Sequence, residues 1–399
     1  MRSLCAAALL LFLPASSAPS VVPQDAKEAA DKEFQKKVDA AIDKGFRWML
    51  DKYRSGLPEP KKSELICLTL AHSGLRADHP FLVQQVNRIL GRPLSETYNA
   101  GLLALLMEKL DRRQFQGALA ETALYFVDSQ CANGQWAYNG KLRRLRAQYA
   151  PAPSKRKDDG LDPNATRADD DGIAPGKPIK IPAQAKASGF HGGDNSNSQY
   201  AILGLFAAAR ANCDLPRETL EKSVKWWESA QNSDGGWGYQ SAETPGFSGD
   251  EWVTNDSTGS MTTAGLTALI VCKFYLGQDP KADPKVQKGL KWLGENLAFS
   301  KNPGTESALW HYYYLYGLER VGQISELKEI GGKDWYRGGA TWLIENQKSD
   351  GRWESAGKGD ALNDDVCNTC FAILFLRRAT PSLKRLKDVV TGDSRKKKE

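Results

Sequence analysis

The chain has 399 residues, 41% of them hydrophobic, with 54 Lys and Arg against 48 Asp and Glu for a net charge of +6. That length allows one large repeat domain or two ordinary ones, with a sizeable core. The positive excess is small and partly local, in Ser394-Arg-Lys-Lys-Lys398 and Lys155-Arg156-Lys157, and no basic stripe interleaved with aromatics points to nucleic acid.

The N-terminus reads as an export signal. Arg2 supplies the positive start, Leu4 to Leu13 is a short apolar run, and Pro14-Ala-Ser-Ser-Ala18 offers small residues for cleavage. The run is too short to span a membrane, and no other stretch is long and apolar enough for a transmembrane helix. Residues 1–20 are therefore expected to be a signal peptide, with the mature protein in the periplasm or outside the cell. Removing them takes away Arg2 and leaves a net charge of +5. Six cysteines remain. A domain of this size needs no disulfide framework, and Cys67, Cys272 and Cys370 sit in apolar runs as small hydrophobes.

Two kinds of helical segment then alternate along the chain. The first is amphipathic. Val38, Ile42, Phe46 and Met49 form one stripe, Leu220, Val224 and Trp227 another, and Val286, Leu290 and Leu293 a third, each with charge opposite. The second is apolar nearly all round, as in 100–107, 200–207, 264–271 and 371–376, which predicts burial on most sides. Taken in order they give six hairpins: 33–53 with 63–74, 79–90 with 96–110, 112–130 with 196–210, 216–231 with 260–276, 283–297 with 306–321, and 334–347 with 367–379. Buried helices would form an inner ring and amphipathic helices an outer one. An open solenoid of hairpins is the competing arrangement, and periodicity alone does not decide closure. Residues 139–193 carry Pro-Ala-Pro (151–153), Asp169-Asp170-Asp171 and no helical period, and read as an irregular insertion over one face of the ring. Residues 381–399 read as a basic disordered tail.

One signal recurs three times: Gln130-Cys-Ala-Asn133-Gly134-Gln-Trp136, Gln231-Asn-Ser-Asp234-Gly235-Gly-Trp237 and Gln347-Lys-Ser-Asp350-Gly351-Arg-Trp353. Asn or Asp followed by Gly supplies a side-chain acceptor and a residue tolerant of positive φ. The Gln can bond the exposed helix end, and the Trp can cover the hairpin. These turns resemble the Gln-Trp repeats of squalene and hopene cyclases. The segment 257–269 is similar to the inner helices that follow those turns, and Asn368-Thr-Cys-Phe-Ala-Ile-Leu374 resembles the last inner helix of protein prenyltransferase β subunits. The resemblance covers about 33–380 without the insertion, and extends to exported bacterial proteins with such repeats and no settled activity. It implies an all-α fold, an (α/α)6 toroid with a central cavity.

The chemistry of each relative can be tested on the residues. A cyclase of this kind protonates an alkene with an Asp-x-Asp-Asp acid, and no such motif occurs. Leu362-Asn363-Asp364-Asp365 is nearest, so Asp364 and Asp365 are the candidate acids, although capping of a helix start is the favoured reading of both. A prenyltransferase needs zinc on an Asp-x-Cys pair and a His. Asn368 stands where the resemblance puts that His, and Cys367, Cys370 and His311 are a poor substitute. No metal and no cofactor is expected. A carbohydrate-active toroid would use paired carboxylates, for which Glu251, Asp256, Glu306 and Asp364 lie near inner-helix starts. In a closed ring those starts share one mouth. Tyr98, Asp194, Asn197, Asp256, Glu306, His311 and Asn368 are therefore the expected ligand-binding residues, each also explained by capping or packing. Tyr312, Tyr313 and Tyr314 read mainly as inner-ring packing. The leading expectation is a toroid that binds a ligand, an isoprenoid or a polysaccharide, or a protein partner. The alternatives are a terpene-cyclase-like enzyme on a polyprenyl substrate and a carbohydrate-active enzyme.

Overall fold

The structure, a computed structural model, describes residues 24–54, 56, 62–153, 176–185, 192–240, 255–305, 309–354 and 364–383. The expected signal peptide and most of the expected tail, from 384 on, lie outside those residues, as do 154–175 and 186–191 of the insertion.

Twelve helices run through the described residues in six outer–inner pairs. The outer helices are α1 (Gln24–Lys52), α3 (Pro80–Leu90), α5 (Gln116–Ser129), α7 (Arg217–Ser229), α9 (Pro284–Glu295) and α11 (Trp335–Asn346). The inner helices are α2 (Ser63–Ser73), α4 (Thr97–Asp111), α6 (Asn195–Arg210), α8 (Gly259–Tyr275), α10 (His311–Ser325) and α12 (Asp365–Arg377). Burial follows the two sequence patterns. Every residue of α2 is buried, whereas α9 buries only Val286, Gly289, Trp292 and Leu293, one stripe at spacings of three and four.

The inner helices pack in a cycle: α2 on α4, α4 on α6, α6 on α8, α8 on α10, α10 on α12, and α12 back on α2. That last contact makes the ring a closed toroid rather than an open solenoid. Because each hairpin is antiparallel, all inner helices start at one mouth. At that mouth Lys62, before α2, pairs with Asp364, before α12, across the closure. None of the described helices is long and apolar enough to cross a membrane.

The three Gln…Trp turns clamp each hairpin to the next outer helix. Gln130 Nε2 donates to Gly134 O (3.2 Å) and to Thr219 O in α7 (2.9 Å). Gln231 does the same to Gly235 O (2.8 Å) and Lys285 O in α9 (2.9 Å). Gln347 bonds Gly351 O and Ala41 O in α1, both at 2.8 Å. The third clamp therefore ties the last hairpin to the first. Each Gly holds φ near +100° (+96°, +103° and +102°) and lies against the neighbouring helix backbone, at Lys222, Lys288 and Lys44 in turn. Each Trp is buried and donates its indole N–H to a carbonyl of the preceding outer helix: Trp136 to Phe126 (2.7 Å), Trp237 to Trp227 (2.8 Å) and Trp353 to Leu343 (2.8 Å). Covering the hairpin is thus half of the turn's role, because one of the two partners of each Gln lies on the following hairpin.

The described parts of the insertion run along the outer wall. Strand β2 (Asn139–Arg143) pairs antiparallel with β1 (Leu94–Glu96). The chain then reaches the opposite end of the ring, where buried Tyr149 bonds Asn87 through both backbone groups (2.8 and 2.9 Å) and stacks on Phe115. It returns through β3 (Ile179–Lys180), parallel to β4 (Cys213–Asp214), and Gln184 bonds Gln130 O at 2.9 Å. Helix α5 lies between the outgoing and returning strands. A third small ladder joins β5 (Glu329–Ile330) to β6 (Lys333–Asp334).

Candidate functional site

The inner-helix starts supply most of the sequence-predicted residues. Asp194 caps α6: its Oδ1 accepts from the N–H of Asn197 and its Oδ2 from the Asn197 side chain, both at 2.8 Å. Burial pushes the Asp194 carboxyl up to about 6, against the opposing pull of Asn197 and Tyr239. Asn197 is itself buried and its Oδ1 has no partner. Asp364 caps α12 by accepting from the Cys367 N–H (2.9 Å) and pairs with Lys62. Its burial favours the acid, but the Cys367 N–H and Lys62 outweigh it and hold the carboxyl below its usual value. Asp365 faces away from that pair, 3.2 Å from Arg352 Nε. Asp256 is exposed, and the cap of α8 is Thr258. Glu306 and Glu251 lie outside the described residues.

His311 is buried with Nε2 on Phe299 O at 2.9 Å and its ring against Trp342. Burial lowers its pKa to about 4, so it is neutral at physiological pH. Cys367 and Cys370 are free, buried thiols pushed up by burial. Among the described residues, no three His, Cys, Asp or Glu side chains converge as a metal set. Asn368 is buried and its Nδ2 has no partner.

A second group lies deeper, and apart from Tyr98 and Tyr313 its residues were not singled out from the sequence. Helices α6 and α10 are separated by α8 in the ring, so bonds between them run through its interior. Ser196 Oγ and Tyr313 Oη are 3.0 Å apart, and Gln199 Nε2 also bonds Tyr313 Oη. Arg320 donates from Nη1 to Gln199 Oε1 (3.0 Å) and from Nη2 to Tyr200 Oη (2.9 Å). Its guanidinium lies 3.9 Å from the Tyr316 ring centroid and 5.0 Å from that of Tyr200. Tyr98 extends the cluster from α4, 4.2 Å from Tyr200, and Phe371 extends it from α12, 5.6 Å from Tyr313.

Arg320 is 1% exposed and, among the described residues, has no carboxylate partner. Burial alone would favour the neutral form, but the surrounding tyrosine oxygens outweigh it and keep the group cationic. Stacking on aromatic faces offsets part of the desolvation cost. Glu319, beside it in sequence, instead accepts from Thr380 N (2.9 Å) and Thr380 Oγ1 (2.7 Å). One sequence signal could have found this cluster: Tyr313, Tyr316 and Arg320 are spaced by three and four, on one face of α10. Of the expected ligand residues, only Tyr98 packs against the bridge, its ring on that of Tyr200. Asp194 and Asn197 cap the helix that carries it, while Asp256, His311 and the Asp364–Asp365 pair stand elsewhere on the mouth.

No protein-family model and no curated protein matches the chain by sequence. Solved structures resemble it in shape. A variant of type II terpene cyclase MstE from Scytonema, in complex with merosterolic acid A, superposes with a TM-score of 0.49 at 12% identity over 87% of this chain and 98% of that one. Another variant of it, in complex with geranylgeranyl dihydroxybenzoate, gives 0.48 at the same identity and coverage. Candida albicans protein geranylgeranyltransferase-I complexed with GGPP gives 0.49 at 10% identity, over 84% of this chain and 90% of that one. At such scores the fold rests on the chain's own helix contacts, and any activity on its own side chains.

Proposed function

We propose that the chain is an exported toroid that binds a ligand or a protein partner at the mouth where the inner helices start, and that it neither cyclises nor transfers prenyl groups. The observation that carries this reading is the bridge through the ring: Ser196, Gln199 and Tyr200 of α6 bonded to Tyr313 and Arg320 of α10. A cyclase needs room for a folded polyprenyl chain inside the ring, and the bridge takes up part of that interior. It makes a floor of hydroxyls, aromatic faces and one buried cation beneath the mouth. The state of Asp364 supports the same reading. An acid that protonates an alkene must hold its proton, whereas Asp364 is paired with Lys62 and capped by a backbone N–H, so it is ionised at neutral pH. Asn368 in place of a histidine argues against the prenyltransferase zinc site. Export to the periplasm or beyond rests on residues 1–20.

The test is turnover. The mature chain, from about residue 21, is incubated with squalene, with geranylgeraniol, and with geranylgeranyl diphosphate plus a cysteine peptide and zinc. No cyclised or prenylated product is expected. A cyclised product that disappears in Asp364→Asn would overturn the proposal in favour of the cyclase reading.

A further inference from the structure

A separate crevice of about 230 Å3 opens at the rim of the same mouth, where α3 ends and α2 and α4 begin. Its polar lining is Glu64, Arg92, Ser95, Glu96 and Asn99, and its apolar side includes Ile89, Leu94 and Leu103. Glu64, in the first turn of α2, is 5% exposed. One carboxylate oxygen, Oε1, accepts from Arg92 Nη2 at 2.6 Å, while Oε2 is buried with no partner. A buried carboxylate oxygen left unpaired is costly, and a carboxylate has lone pairs enough to serve a second donor. Glu96 adds a second carboxylate at the crevice edge, so two acidic side chains face one guanidinium.

We propose that this crevice is a binding site for an alkylammonium group, its nitrogen on Glu64 Oε2 and Glu96 and its carbon chain along Ile89, Leu94 and Leu103. The chemistry selects that class. An anion would meet two carboxylates. A metal ion would find too few ligands, since no third His, Cys, Asp or Glu converges here among the described residues. An ammonium offers three donors and no acceptor, which matches the free oxygen of Glu64, the Glu96 carboxylate and the Asn99 amide oxygen. Burial, with Glu96 adding to it, raises the Glu64 pKa to about 7 against the pull of Arg92, and a bound cation would draw the group to its charged form. The site is independent of whether the ring interior binds or turns over anything.

The group can come from a free amine or from a lysine side chain. Isothermal titration of the mature protein with n-butylammonium, with Nα-acetyl-lysine methylamide, and with n-butanol and butyrate as controls separates the cases. Saturable binding of the amines and none of the controls is expected. Tighter binding of the lysine derivative than of n-butylammonium assigns the site to a polypeptide, and the reverse order to a free amine. Glu64→Gln should weaken binding by about tenfold or more, the loss of a charge-assisted bond. Because Glu64 is buried, Glu96→Gln serves as the variant at an exposed position; its circular dichroism should match wild type while its affinity falls. No amine binding, equal binding of n-butanol, or amine affinity unchanged in Glu96→Gln and in a folded Glu64→Gln would each overturn the proposal.

Discussion

Asp194 caps α6 and, buried as it is, holds its proton to higher pH than an exposed aspartate. Its carboxyl titrates near 6 in the fold against 3.8 as a free side chain. Between those values the folded chain keeps a proton that the unfolded chain has lost. Stability from this group therefore falls as pH rises from about 4 to about 6, by about 3 kcal/mol, and is flat above. Asp194→Asn should remove that slope without losing the cap, because Asn caps as well as Asp. The amide fits if Asn197 turns its side chain over, presenting the Oδ1 that now lacks a partner. Urea unfolding at pH 4.5 and 7.5 checks this: relative to wild type, the Asn variant should gain stability as pH rises. Asp194→Ala should lose about 1–2 kcal/mol with the cap, on top of any change in slope. A variant-to-wild-type difference is the right quantity, since Glu64 and Glu319, both raised to about 7 by burial, carry slopes of their own that cancel in it.

The three clamps show how one element closes a ring. Gln347 bonds its own turn and α1, so Gln347→Ala removes two hydrogen bonds, one of them across the closure, at a cost of about 1–3 kcal/mol. Gly351→Ala should cost at least as much: its φ is +102°, and a Cβ there would sit 2.4 Å from Lys44 O, a backbone atom that cannot move alone. Thermal unfolding of both variants, beside Gln231→Ala at an interior clamp, measures this. Hydrogen exchange in α1 should rise in all three variants, each by the factor that its loss of stability sets, because the ring unfolds as one unit. The clamps also mark the limit of reading from sequence. The alternation of amphipathic and apolar helices and the repeated Gln…Trp turn were legible, because both depend on local spacing. The second partner of each Gln was not, because it sits on the next hairpin. The same holds for Gln199, Tyr200, Tyr313 and Arg320, whose bonds join helices that are neighbours neither in sequence nor in the ring. Asp364 was found, but its pairing with Lys62, 302 residues away, decides its ionisation and was invisible in the local motif. Strands of two to five residues on the outer wall carry too little pattern to stand out from the insertion.

At the scale of the molecule, closure changes what unfolding can be. In an open array of hairpins each unit touches only its neighbours, and the end units fray first because one face is bare. Here α12 packs on α2 and α1 on α11 and α12, so the first and last hairpins have no bare face. Loss of any one hairpin would expose two apolar inner-helix flanks at once, and among the described residues no disulfide holds the ring while one unit opens. The expectation is a single cooperative transition, with backbone amides of α1, α8 and α12 exchanging at the same limiting free energy under mild urea. A chain truncated before α11 should then fail to fold rather than form a five-hairpin toroid, since the flanks of α2 and α10 that pack on α12 would face water. Exchange that proceeds from α1 and α12 inward, with α6 and α8 protected several-fold longer, would mean that the contact between first and last hairpins contributes little, and that the ring behaves in solution as a solenoid whose ends only touch.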